Sequence, residues 1–303
     1  MSAIVNILGS GAIGGLCAAG AQQAGVSYRL LPRASSALLQ TVVLQNSPSH
    51  DSRSVSLQPL ADSAPAAFTA DDILILPLKV FQLKAAIAYW QPKLTTDTPI
   101  ILLHNGMGGM ELAAEYLPLN PVYLATTSHG AFKTTATTVQ HTGVGKTMLG
   151  LSPLHSASAS LNTHIGQLLH HCIGPVTWRD DILLALWQKL AINCAINPLT
   201  AQHNVRNGAL SSAVFRPTIE AVVNEVCEVA VACGIELRYS VVLAQVFEVI
   251  QLTATNYSSM HQDVAHQRPT EIDAITGYII AQANKKGIDV TTNTLLYNAI
   301  KNA

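Results

Sequence analysis

In the run LWQKLAINCAINPLT, Lys189, Asn193 and Asn197 recur at every fourth position. On a helix each lands one turn beyond the last with a drift of about 40°, so all three share a face. A lysine ammonium can give a proton to an oxygen on which negative charge develops, as on a ketone that accepts hydride. Neutral amides beside it can bind hydroxyl or carboxylate oxygens without a second positive charge that would lower the lysine's pKa. The plainer reading is a polar stripe turned to solvent. Against that reading, Asn is a poor helix former and Pro198 disfavours helical geometry at Asn197. Local rules broken together mark a site. Glu271, two residues after Pro269 at an expected helix start, can hold such an ammonium protonated and oriented. Acids in first helical turns also simply answer the helix dipole.

A second group of residues lies near the amino terminus. Gly9, Ser10, Gly11, Ala12, Ile13 and Gly14 fit GxGxxG between an apolar, β-branched run and a helical pattern that closes at Gly25. In such a turn the first glycine permits the bend, the second lets backbone approach a pyrophosphate, and the third allows close helix packing. The phosphate then sits on the helix N-terminus. The alternative is a tight strand-to-helix turn without a ligand. An NAD site places an acid about 20 residues on, to accept from the ribose hydroxyl. Here YRLLPRAS offers Arg33 and no acid, which points to the 2′-phosphate of NADPH/NADP, although a solvated surface arginine would look the same. Lys79 follows the apolar run ILILPL and so emerges at the carboxyl edge of a sheet, where a lysine is either a ligand contact or merely solvated. Asn105, in HNGMG after the next run, can bond a cofactor ribose or a substrate oxygen, or serve only as an Asn-Gly turn.

These side chains need elements to hold them. Short apolar runs at 4 to 8, 27 to 31, 73 to 76, 100 to 103 and 122 to 125 predict strands of a mostly parallel sheet. From about residue 180 the period changes, and helices are expected near 181 to 196, 216 to 233, 239 to 260 and 270 to 286. Gly234 and Gly287 stand where helix ends take a left-handed residue. The Ser/Thr/His-rich stretch 134 to 171 gives no clear period. The fold class is therefore α/β, a Rossmann-type dinucleotide-binding domain over 1 to 180 followed by an all-helical domain over 181 to 303.

Composition narrows the function. With 49% hydrophobic and 12% charged residues, the chain of 303 cannot be broadly disordered. A net charge of −1 removes the electrostatic pull toward nucleic acid or anionic membrane, leaving small-molecule work. The first 28 residues carry no charge, but they lack a basic leader region and are interrupted by Asn6 and a run of glycines, so neither a signal peptide nor a span is expected. The 5 cysteines show no CxxC spacing, which suits a reducing cytoplasm. His170, His171 and Cys172 are consecutive and cannot all face one ion, so no metal site is expected. His261 and His266 are expected to be partly exposed, like that pair.

Several stretches together resemble the ketopantoate reductase family: GSGAIG at 9 to 14, PLK at 77 to 79, HNGMG at 104 to 108, KLAINCAINPLTA at 189 to 201, RNG at 206 to 208, and SSM at 258 to 260 with TEID at 270 to 273. The resemblance runs over nearly the whole chain. It implies NADPH-dependent reduction of 2-dehydropantoate (ketopantoate) to pantoate, by hydride transfer to the C2 carbonyl, in pantothenate and coenzyme A biosynthesis. It implies Lys189 as the proton donor, with Asn193, Asn197, Asn207 and Ser259 contacting substrate and Asn105 lying where cofactor and substrate meet. Arg33, Lys79, the Ala131 backbone and Glu271 would serve the NADPH side, Glu271 also lying near Lys189. The chain would act as a monomer or homodimer. GGME after the Asn105 loop and the stretch 134 to 171 depart from the pattern. Two rivals stand beside this reading: a reductase of another branched 2-keto acid, and a non-catalytic NADPH-sensing regulator. A sensor needs no proton donor, so Lys189 and Glu271 argue against the second.

Overall fold

The computed structural model describes residues 3–31, 37–45, 52–60, 67–69 and 71–302. The chain divides into two compact units, Met1–His104 with Gly109–Ile182, and Asn105–Gly108 with Leu183–Ala303. A boundary drawn at residue 180 does not foresee that the short Asn105 segment joins the second unit.

The first unit holds strands β1 (Ile4–Leu8), β2 (Tyr28–Leu31), β3 (Thr41–Gln45), β4 (Ser52–Ser56), β5 (Asp72–Leu76), β6 (Ile100–Leu103), β7 (Val122–Thr127), β8 (Gly130–Lys133), β9 (Thr138–Gly143), β10 (Thr147–Leu151) and β11 (Val176–Trp178). Its helices are α1 (Ala12–Gln23), α2 (Val80–Trp90), α3 (Gly109–Tyr116) and α4 (Ala159–Ile173). Seven strands form one sheet in the order β11-β10-β7-β6-β5-β1-β2. From β2 through β7 neighbouring strands are parallel, and β10 is antiparallel to β7. Parallel strands covered on both faces must be apolar throughout, and DILIL and IILL are buried at every position. Asp72, the one charge in these strands, is 3.1 Å from the Arg29 guanidinium and accepts a 2.8 Å bond from Asn6. From β1 the chain passes through α1 to β2 on one side, then places β5 on the other side of β1. Strand order thus reverses between β1 and β5, and open α/β sheets take ligands at the carboxyl ends flanking such a reversal.

A second sheet, β4-β3-β9-β8, was not foreseen. Its strands are short and half-exposed: in SRSVS only Val55 is buried, too little apolar pattern to read as a strand.

The second unit is helical, as expected: α5 (Ile182–His203), a 3-10 turn Asn207–Ser211, α6 (Arg216–Ala232), α7 (Tyr239–Leu252), α8 (Ser259–Ala265), α9 (Thr276–Lys286) and α10 (Thr291–Lys301). The helix expected over 239 to 260 is two helices. α7 stops at Leu252, and a new start forms where Ser258 Oγ accepts the His261 N–H at 3.1 Å, an N-cap bond. α5 runs straight through Pro198, so tertiary burial overrides the local preference at Asn197. By length and composition α5 could cross a membrane, but 67% of its apolar window is buried within the protein, the pattern of a core helix.

Candidate active site

In the first unit the glycine turn is built by close backbone approaches. Gly9 has φ +110, a conformation that disfavours any side chain, and its N–H donates to the Leu31 carbonyl at 2.9 Å. A Cβ on Gly14 would lie 2.9 Å from the Gly9 carbonyl oxygen and 3.4 Å from Pro77 Cγ. One on Gly11 would meet nothing nearer than the Pro77 carbonyl at 3.9 Å. The turn is therefore tight at Gly9 and Gly14 and open at Gly11. α1 starts directly after Gly11 with no side-chain cap and no acid in its first turn. Its N-terminal N–H groups and the positive end of its dipole suit a phosphate.

Lys79 is the residue before α2, where its N–H donates to Gln82 Oε1 at 3.2 Å. Its two predecessors, Pro77 and Leu78, form the wall against which the glycine turn packs. Lys79 thus begins beside that turn, and its Nζ is 5.9 Å from the Phe81 ring. Ala131 lies half-buried in β8, paired with His141 of β9. Arg33 falls outside the described residues.

In the second unit α5 carries Lys189 and Asn193, both half-buried, and Asn197, which is buried. Burial lowers the Lys189 pKa to about 8, and the nearby Glu271 carboxylate works in the opposite direction. Glu271 is itself buried, and it does not start a helix. It opens the turn before α9, where its carbonyl accepts the N–H groups of Ala274 and Ile275 at 3.0 Å each. The helix-dipole explanation for this acid therefore does not apply. The Asn105 loop meets the same turn: Met107 N–H donates to the Ala274 carbonyl at 2.8 Å, and a Cβ on Gly106 would lie 2.5 Å from that oxygen. The loop that carries Asn105 is thus held against the turn that Glu271 opens.

Asn207 opens the 3-10 turn, buried, with its N–H on the Asn256 carbonyl at 2.9 Å and its Nδ2 on Thr253 Oγ1 at 2.9 Å. Ser259 is exposed at the first position of α8. Sequence reading passed over Thr200, Asn204 and Ser258, which tie α5 to α8, although Thr200 continues the stripe of Lys189, Asn193 and Asn197. It also misplaced His261, which is buried: its Nε2 is 2.7 Å from Asn204 Oδ1 and its ring stacks on Tyr257 with centroids 4.2 Å apart. His170, His171 and His266 are exposed. Among the described residues no three His, Cys, Asp or Glu side chains gather as metal ligands.

A glycine turn at a strand-order reversal, followed by an uncapped helix, defines a Rossmann-type dinucleotide-binding protein, here with a helical unit that presents a desolvated lysine. The sequence profile of ketopantoate reductase PanE/ApbA matches residues 5–153, and that of the PanE/ApbA C-terminal domain matches residues 181–303. The chain belongs to the ketopantoate reductase PanE/ApbA family of oxidoreductases. It is 41% identical to the 2-dehydropantoate 2-reductase of Vibrio cholerae, over 98% of this chain and 96% of that one. With the corresponding protein of Escherichia coli O157:H7 it shares 32% identity over 98% and 94%. In fold it is similar to the PanE/ApbA family ketopantoate reductase of Ralstonia eutropha JMP134, with a TM-score of 0.84, 23% identity and coverage of 98% and 97%.

Proposed function

We propose that the chain reduces 2-dehydropantoate to pantoate with NADPH, in the cytoplasm, with Lys189 as proton donor. The observation that carries this reading is the desolvated Lys189, with a pKa of about 8 and Glu271 beside it, on the helix that also bears Asn193 and Asn197. NADPH would supply the hydride. The residues of the first unit fit it: the tight glycine turn and the uncapped start of α1 suit a pyrophosphate, and Arg33 and Lys79 offer charge for the remaining phosphate. The Ala131 backbone would contact NADPH, and Asn105 would lie where cofactor and substrate meet.

As the substrate carbonyl takes hydride at C2, negative charge develops on its oxygen. The Lys189 ammonium stabilises that charge and then gives up a proton, forming the hydroxyl of pantoate and leaving neutral lysine and NADP. Burial makes the ammonium a stronger acid than a solvated lysine, and Glu271 keeps it protonated near neutral pH. Asn193, Asn197, Asn207 and Ser259 would hold the carboxylate and hydroxyl, which fixes the face presented to hydride. The relatives in V. cholerae and E. coli support the substrate assignment through their names. Incubation of the purified chain with NADPH and a panel of branched 2-keto acids tests the reading. Oxidation of NADPH fastest with 2-dehydropantoate is expected. Faster turnover of another keto acid would reassign the substrate, and tight NADPH binding without any turnover would point to a sensor.

A further inference from the structure

Lys189, Asn193, Asn197 and Thr200 fall within an arc of about 80° on α5, so the stripe continues one step past the proposed substrate contacts. Thr200 is fully buried, and its hydroxyl shares a 2.7 Å hydrogen bond with that of Ser258. Ser258 Oγ in turn accepts the His261 N–H and caps α8. A second tie runs parallel to it. Just past the end of α5, Asn204 adopts φ +53 and receives His261 Nε2 at 2.7 Å. The ring of His261 is held further by its stack on Tyr257. Thr200, Ser258 and His261 are buried, where a hydrogen bond is costly to leave unmade, while Asn204 is exposed. Both ties converge on one element, the first turn of α8, whose first residue is the exposed Ser259.

We propose that Thr200 is a positioning residue for substrate binding: its hydrogen bond to Ser258 sets where α8 begins, and so sets Ser259 relative to Asn193 and Asn197. Asn204, through His261, is the second brace of the same turn. The helix that supplies the proton donor thereby also holds the neighbouring helix that supplies a hydroxyl contact, and one stripe of side chains sets both. The proposal rests on the keto-acid reductase reading of this site.

The test is steady-state kinetics of Thr200→Val, Thr200→Ser, Ser259→Ala and the double variant Thr200→Val/Ser259→Ala, with melting temperatures measured alongside. Thr200→Val should raise KM for the keto acid roughly tenfold, the scale of one lost hydrogen bond, with KM for NADPH unchanged. Thr200→Ser keeps the hydroxyl and should behave as the parent. If Thr200 acts through Ser259, the double variant should be no worse than Ser259→Ala alone. An unchanged keto-acid KM, equal rises in both KM values, or additive losses in the double variant would each overturn the proposal. Should Thr200→Val fail to fold, Ser258→Ala breaks the same bond from the α8 side and must give the same KM split. A parent chain that turns over no keto acid would overturn both this inference and the proposed function. A parent with turnover and an indifferent Thr200 would overturn the inference alone.

Discussion

Glu271 opposes the effect of burial on Lys189: desolvation drives the lysine's pKa down, and the carboxylate limits the fall so that it stands at about 8. A proton donor must be protonated to act. Ketone reduction should therefore be full below that pKa and decline as pH rises through about 8, whereas oxidation of pantoate should rise over the same range. In Glu271→Gln the charge that raises the lysine pKa is gone, and the alkaline limb should move to lower pH. Profiles of kcat against pH for parent and variant check this. A limb that stays in place in Glu271→Gln would separate the two residues.

The glycine turn makes a contrasting pair of predictions. Gly11→Ala places its methyl in open space at φ −77, so stability should hold or rise slightly. The same methyl would intrude on an approaching phosphate, and NADPH affinity should fall roughly tenfold or more as charge-assisted bonds are lost. Gly14→Ala instead meets the Gly9 carbonyl at 2.9 Å and should cost about 1–3 kcal/mol of stability before any cofactor is added. Melting temperatures with NADPH titrations distinguish the two outcomes.

Cofactor choice turns on Arg33. If its guanidinium pairs with the 2′-phosphate, Arg33→Ala should raise KM for NADPH roughly tenfold or more while KM for NADH changes little. Equal changes for the two cofactors would remove Arg33 from the site.

The parallel strands were legible because a sheet covered on both faces demands unbroken apolar runs, as in DILIL and IILL. The β3, β4, β8 and β9 strands were not, since a sheet with exposed positions needs few apolar residues, and TVQHTG reads as a loop. α10 was missed for a like reason: TTNTLLYNAIK buries only Asn293, Leu296 and Ile300. Within the site, the fourfold spacing of Lys189, Asn193 and Asn197 announced a shared face. The joining of the Asn105 loop to the Glu271 turn could not be read, because a bond from Met107 to Ala274 depends on tertiary packing and leaves no trace in local pattern. His261 looked like an exposed histidine because its partners, Asn204 and Tyr257, become neighbours only once α8 folds onto the end of α5.

The most direct test is the turnover of Lys189→Ala with NADPH and 2-dehydropantoate, measured together with its NADPH affinity. The account predicts a kcat lower by about 10²–10⁴, no alkaline limb near pH 8, and NADPH binding equal to that of the parent. Turnover close to the parent's, with the limb still in place, would contradict it.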